Sequence, residues 1–238
     1  MKKFIKKIIN IILSPFILLD YFKFKTADKN KRFSIIPKDF YPQIKDKTIM
    51  TGFDRHYVYH TSWAARKVRE INPEFHSDIS SSLYFSGIVS AFVPVKFYDY
   101  RPADLKLSNL ESLPGDLMKL PFENNSINSL SCMHTIEHVG LGRYGDQIDP
   151  SGDLKAAREL KRVLAKDGSL LFVTPVGKPK IEFNAHRIYS YEMVMEMFEN
   201  LKLIEFSLVT DSGDFIENAN SELVKEQKYG CGCFWFKK

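Results

Sequence analysis

A chain of 238 residues with 44% hydrophobic and 26% charged content is an ordinary globular composition, long enough for one sizeable core. Three cysteines, Cys132, Cys231 and Cys233, exclude a disulfide framework and fit a reducing compartment. The net charge of +5 belongs to one end: residues 1–32 hold nine Lys/Arg against Asp20 and Asp28, a balance of +7 that leaves −2 for the other 206. The body therefore lacks the broad basic face of a nucleic-acid binder.

Lysines at positions 2, 3, 6 and 7 alternate with Phe4, Ile5, Ile8, Ile11, Ile12 and Leu18 at helical steps. This spacing predicts a basic amphipathic helix within residues 1–32. Its most apolar run, Ile11 to Leu19, is broken by Ser14-Pro15 and falls short of the roughly 20 residues a bilayer span requires. Asp20-Tyr21-Phe22-Lys23 follows, where a signal peptide would carry small residues. Two readings stay open: a helix packed on the body, or one lying in an anionic membrane surface at the cytoplasmic face. Lys23, Lys25, Lys29, Lys31 and Arg32 favour the second. Residues 33–56, with Pro37, Pro42 and Gly52, read as a connector.

The body, residues 57–238, alternates helices and strands. Tyr57–Ile71 predicts a helix stopped by Asn72-Pro73. Glu74–Ile79 predicts a strand containing Asp78, and Ser80-Ser81-Ser82 opens a helix reaching about Ala91. Val95–Asp99 predicts a second strand ending in a carboxylate. Ile127–Met133 and Ser169–Thr174 are further strands, with a helix over Asp153–Ala165 between them, capped by Ser151 or Asp153 and closed by Asp167-Gly168. Tyr191–Glu199 is another helix. Leu203–Val209 and Cys231–Phe236 form a late strand pair, which makes Cys231-Gly-Cys233 strand content. The alternation predicts an α/β, doubly wound, mainly parallel sheet with an antiparallel edge.

Three groups of residues point to chemistry. Asp78, Asp99 and Asp116 stand in succession at strand ends. Asp99, 21 residues after Asp78, suits ribose hydroxyls, and Gly115-Asp116-Leu117 suits an adenine edge. The first turn, His76 to Ser82, holds serines and no glycine before Gly87, and serine does not take positive φ cheaply. His134-Thr-Ile-Glu137-His138 matches the H-x-x-E-H string of zinc hydrolases, a minor reading because Gly140 and Gly142 would end a helix there. At a strand end beside a cleft the same residues suit acid–base work or shaping of the substrate site: His138 or His134 as base, with His138 and an orienting Glu137 the assignment for a hydroxyl acceptor. Gly140-Leu-Gly-Arg143-Tyr144-Gly145-Asp146 predicts a tight loop presenting Arg143, Tyr144 and Asp146 to a substrate, and His186 and Arg187 follow near enough to close the cleft. No metal is assigned in the leading reading.

The succession DIS-S, YDYRP, LPGDLMKLPF, SCMHTIEHVGLGRYGD, ELKRVLAKDGSLLFVTPVG and HRIYS over about residues 57–210 resembles class I S-adenosylmethionine-dependent methyltransferases. More narrowly, it is similar to a bacterial and nematode family of unknown function. The resemblance implies a Rossmann-like seven-stranded sheet. It implies Asp78, Ser80 and Ser81 at the methionine side of the cofactor, Asp99 at its ribose, Asp116 and Leu117 near adenine, and His134 close by. Glu137 and His138 would face the acceptor. The expected function is methyl transfer to a small-molecule or glycan acceptor, with a cell-surface polysaccharide or glycolipid precursor suggested by the basic tail. The alternative is a non-catalytic binding module on a degenerate methyltransferase fold.

Overall fold

A computed structural model describes residues 14–44 and 46–238, and the chain divides into two compact units at Phe53/Asp54. In the first unit, helix α1 (Ser14–Ala27) is followed by a 3-10 turn at Pro37–Asp39, with Tyr21 packed edge-on against Phe40. The lysine-rich stretch of the expected amphipathic helix, residues 2–12, lies outside the described residues. Over the described Ser14–Ala27, apolar side chains do not gather on one face, and Phe16, Leu19, Phe22 and Phe24 are all exposed. No described helix is long and apolar enough to cross a membrane.

The second unit opens with helix α2 (Arg55–Ile71). Asp54 caps it by accepting from the Tyr57 amide at 3.0 Å, and Asn72 ends it in a left-handed conformation before Pro73. Then come β1 (His76–Ile79), α3 (Leu83–Val89), β2 (Val95–Asp99), β3 (Leu110–Pro114) and β4 (Ile127–Met133). After α4 (Gly152–Val163) and the long β5 (Leu164–Val176), a small hairpin of β6 (Lys180–Glu182) and β7 (His186–Ile188) precedes α5 (Tyr191–Met197). The chain continues through β8 (Lys202–Val209), β9 (Phe215–Ile216) and β10 (Gly230–Lys237).

The main sheet has the order β3-β2-β1-β4-β5-β10-β8-β9. Seven strands make the expected mainly parallel array, and the two-residue β9 adds an eighth at the edge. Strands β1 to β5 and β8 run one way. β10 is antiparallel to both β5 and β8, and β9 is antiparallel to β8. Alternate residues of the central strands face two core layers. Leu170, Phe172 and Phe234 pack with Ala156, Leu160 and Val194 of α4 and α5. Leu171, Val173 and Trp235 pack with Trp63, Val68 and Phe85 of α2 and α3. Burial on both faces is why these strands read as near-continuous apolar runs.

Two boundaries differ from the sequence expectation. α4 ends at Val163, and Asp167 (φ +63) with Gly168 forms a bulge inside β5 instead of closing the helix. β3, which buries only Leu110, and the β6–β7 hairpin, whose first strand is exposed, are additions and weakly patterned.

A buried polar chain ties β1 to β4. Ser131 donates to Asp78 Oδ1 and Ser86 donates to Asp78 Oδ2, while His76 holds Ser131 at 2.9 Å and Ser129 at 2.8 Å. Because the Ser131 hydroxyl is committed to Asp78, it accepts from His76 Nε2–H, and Ser129 donates to Nδ1. His76 is neutral, its pKa lowered by burial to about 3. Burial outweighs the serine hydrogen bonds on Asp78 and raises its pKa from 3.8 to about 6. The folded state then holds a proton on Asp78 that the unfolded chain releases near pH 4. The Asp78 contribution to stability therefore falls as pH rises from about 4 through 6, by about 3 kcal/mol for a shift of this size, while His76, neutral when folded, contributes a slope of the opposite sign. Asp78→Asn is expected to flatten that slope. Urea unfolding at pH 4 and pH 7.5 should show the variant gaining on the parent by up to about 3 kcal/mol at the higher pH.

Candidate functional site

β1 and β4 are sheet neighbours, but the chain leaves β1 toward β2 and leaves β4 toward β5. A crevice opens at their carboxyl ends, the usual ligand position in open α/β sheets. Two cavities occupy it. The smaller, about 290 Å³, is walled by Asp99, Gly115, Asp116, Leu117 and Met118 from the β2 and β3 tips. The larger, about 550 Å³, is walled by His56, Tyr57, Glu137, Arg143, His186 and Tyr229. Ser80, His134, His138 and Tyr144 line both.

The β1 turn solves its lack of glycine directly. Ser80 adopts φ +55, its amide donates to Tyr98 O at 2.8 Å, and its hydroxyl donates to the same oxygen at 3.1 Å. Those two bonds offset the roughly 1–2 kcal/mol cost of the left-handed conformation. Ser81 Oγ accepts from the Met133 amide at 3.0 Å, joining the turn to the end of β4. At the β2 and β3 tips, Asp99 accepts from the Arg101 amide at 2.7 Å and Asp116 from the Met118 amide at 2.9 Å, which orients both carboxylates at the cavity wall.

His134 follows β4 at φ +53 with its amide bound to Val173 O. Its Nδ1 lies 2.9 Å from Glu137 Oε1, and its Nε2 is 3.4 Å from Cys231 Sγ. Burial opposes a charge on His134, but the Cys231 sulfur and the Glu137 carboxylate outweigh it and raise its pKa to about 10. Burial also pushes the Cys231 thiol well up, so Glu137 is the partner we assign to the imidazolium. Glu137 is 1% exposed, and its Oε2 is buried without a protein partner.

His138 uses Nδ1–H to donate to Ala185 O at 2.7 Å, and its Nε2 lies 3.8 Å from Glu137 Oε1. Burial lowers its pKa below 6.5 against the opposing pull of Glu137, so the ring is neutral near pH 7. Arg143 donates to the same Ala185 carbonyl at 2.8 Å. The Tyr144 ring lies beneath the Arg101 and Arg143 guanidiniums, at 4.6 and 5.1 Å. His186 tilts against Tyr229 with centroids 5.0 Å apart.

Three expected site residues do other work. Asp78 is fully buried in the serine chain and lines neither cavity, because β1 turns its side chain into the sheet interior. Arg187 is buried too. Its guanidinium holds Val139 O at 2.7 Å and lies 3.5 Å from Asp153, bracing the loop from behind. Asp146 reaches the smaller cavity, but the amides of Gly140, Gly142 and Tyr144 all donate to its carboxylate. Those amides outweigh burial and lower its pKa, which makes it the organiser of the glycine loop. The zinc-hydrolase pattern is corrected as well. Residues 136–138 form one 3-10 turn, so the two histidines do not share an α-helical face. His56, Tyr57, Arg101, Tyr229 and Cys231 were missed. The i, i+4 pair His56 and His60 is the available signal, hidden because the helix begins at Arg55, two residues before the expected start at Tyr57.

The sequence profile of a family described as Caenorhabditis protein of unknown function, DUF268, matches residues 119–229, just under half of the chain. No curated protein matches the chain at a significant level. Among solved structures, a candidate sarcosine dimethylglycine methyltransferase from Galdieria sulphuraria is similar at TM-score 0.54 and 13% identity, covering 76% of this chain and 86% of that one. A candidate methyltransferase from Bacillus halodurans C-125 is similar at TM-score 0.51 and 14% identity, covering 73% and 98%. The [4+2]-cyclase SpnF is similar at TM-score 0.50 and 12% identity, covering 75% and 81%. The fold is methyltransferase-like, and the cyclase shows that the same fold hosts other chemistry.

The Ser80 conformation makes a stability prediction. Ser80→Gly removes the left-handed strain but loosens the unfolded chain, so urea unfolding should place it within about 1 kcal/mol of the parent. Ser80→Val forces a β-branched residue to φ +55 and should cost about 2 kcal/mol or more.

Proposed function

We propose that this chain is an S-adenosylmethionine-dependent methyltransferase that holds its cofactor in the smaller cavity and its acceptor in the larger. The observation that carries this reading is the common wall of Ser80, His134, His138 and Tyr144 between two cavities at the carboxyl end of a methyltransferase-like sheet. The residues fit the adenosyl group. Asp99, Asp116 and Leu117 line the smaller cavity, which supports ribose hydroxyls binding at Asp99 and an adenine edge at Asp116 and Leu117, and Ser80 supplies the left-handed turn that glycine usually provides. When bound, the cofactor brings an activated methyl group, so the protein's share is binding, orientation and proton handling.

For a hydroxyl acceptor, His138 is the group to receive the proton. It is neutral, its Nδ1–H is anchored on Ala185, and the Glu137 carboxylate near Nε2 favours the imidazolium that results. Arg143, Tyr144, His186 and Tyr229 give the acceptor cavity cationic and aromatic walls, a combination suited to a sugar or a carboxylate. The basic residues of the first 32 positions support an acceptor at the cytoplasmic membrane face, such as a cell-surface glycan or glycolipid precursor. A second reading, a binding module without catalysis, is favoured by the serine-built turn alone.

Calorimetric titration with S-adenosylmethionine separates the two. Binding that Asp99→Ala weakens at least tenfold supports the enzyme, and no heat at millimolar cofactor supports the module. In transfer of radiolabelled methyl into a glycan or lipid fraction, the rate should be flat above about pH 6.5 and fall below it as His138 takes a proton. His138→Gln should lower kcat by about 10²–10⁴ and abolish that acid limb. Sedimentation with anionic phosphatidylglycerol vesicles tests the membrane step: unchanged partitioning after removal of residues 1–25 refutes it.

A further inference from the structure

Five of the six histidines in this chain, His56, His60, His134, His138 and His186, lie in or beside the larger cavity. Acid–base catalysis uses one or two. Three elements of the Asp54–Lys238 unit converge there: His56 from the first turn of α2, His134 just after β4, and Cys231 near the start of β10. One ring nitrogen of each histidine and the Cys231 sulfur all lie within 4.8 Å of one another. We propose that His56, His134 and Cys231 bind a zinc-class divalent ion, with a fourth position open to the larger cavity.

The geometry suits such an ion. Tetrahedral bonds of about 2.0–2.3 Å place neighbouring nitrogen and sulfur ligands roughly 3.5 Å apart. His134 Nε2 and Cys231 Sγ already stand at 3.4 Å. His56, on the half-exposed wall, closes the remaining gap by about an ångström of side-chain adjustment.

The outer contacts are those of a metal-ligating histidine. His134 Nδ1–H donates a hydrogen bond to the buried Glu137 carboxylate, which fixes the ring orientation and turns Nε2 toward the sulfur. His56 is held by the Tyr229 backbone and by stacking on the Tyr229 ring at 5.2 Å. On binding, the Cys231 thiol proton and the His134 Nε2 proton both leave to solvent, and the thiolate and two imidazole nitrogens take the ion. Mixed nitrogen and sulfur donors select zinc over magnesium or calcium. Three protein ligands and one open position match catalytic zinc sites, whereas structural sites are closed. An acceptor oxygen or sulfur reaching the fourth position would be activated as a nucleophile. That last consequence rests on the methyl-transfer reading, while ion binding does not.

The test uses the full chain, stripped with chelator under reducing conditions and titrated with Co²⁺ in the absence of S-adenosylmethionine. One equivalent should produce a sulfur-to-cobalt charge-transfer band in the near ultraviolet and intense tetrahedral ligand-field bands, both erased by Zn²⁺. Cys231→Ser should abolish the charge-transfer band and Cys132→Ser should retain it. His56→Ala, at a half-exposed position that leaves the core intact, should weaken binding at least tenfold, and Glu137→Gln by about 10–100-fold. Absence of the band in the parent, its survival in Cys231→Ser, or unchanged affinity in His56→Ala overturns the proposal. Co²⁺ binding without methyl transfer would leave the site standing and count against the methyltransferase reading alone.

Discussion

Everything at the site depends on β1 lying beside β4. The parallel register sets Asp78 against Ser131, and the buried chain from His76 through Ser131 to Asp78 locks it there. With that pairing made, the connections leave the sheet in opposite directions and the crevice follows from topology alone. The lock costs stability near neutral pH, because a carboxyl group is held inside the sheet with hydroxyls for partners. Proteins retain such buried polar groups where they specify one arrangement over its neighbours. Here a slip of one residue would turn His76 and Asp78 onto the wrong face of β1.

A second economy lies in Glu137. One oxygen of a single buried carboxylate holds His134 at 2.9 Å and stands 3.8 Å from His138. These two histidines border both cavities, so a single group sets the protonation of the wall between them. Burial keeps His56, His60 and His138 neutral, and His134 is the histidine held charged. The cavity therefore contains nitrogen lone pairs and aromatic faces, with one positive charge held on His134 beside the carboxylate and another on Arg143 at the wall.

Much of this architecture was readable from residue order. The runs ending at Asp78, Asp99 and Met133, each closed by a turn, announce parallel strands buried on both faces, and Asp99 and Asp116 fall at the tips where the cavity lies. β3 escaped because Leu110–Pro114 buries little and ends in proline, and the β6–β7 hairpin because its first strand is wholly exposed. Asp78 and Arg187 were misplaced for a different reason. A charged residue at a strand end looks the same in sequence whether it faces the cleft or the interior, and only the partners decide. His56, His134 and Cys231 come from three distant parts of the chain, so no spacing motif joins them. Their meeting is a product of tertiary structure.

The position of β10 has a consequence for how the molecule is made. Its residues are synthesised after those of β8, yet it lies between β5 and β8. Until it emerges, β5 presents a long unpaired edge, and β8 has only the two-residue β9 beside it. An early sheet of β1 to β5 is thus left open on one side, the state in which an unpaired edge invites association with other chains. Cys231 and the Tyr229 that precedes it arrive on this last strand. The larger cavity gains its Tyr229 wall, and His134 its sulfur neighbour, only when the sheet closes, so the cavity is incomplete on a partly folded chain.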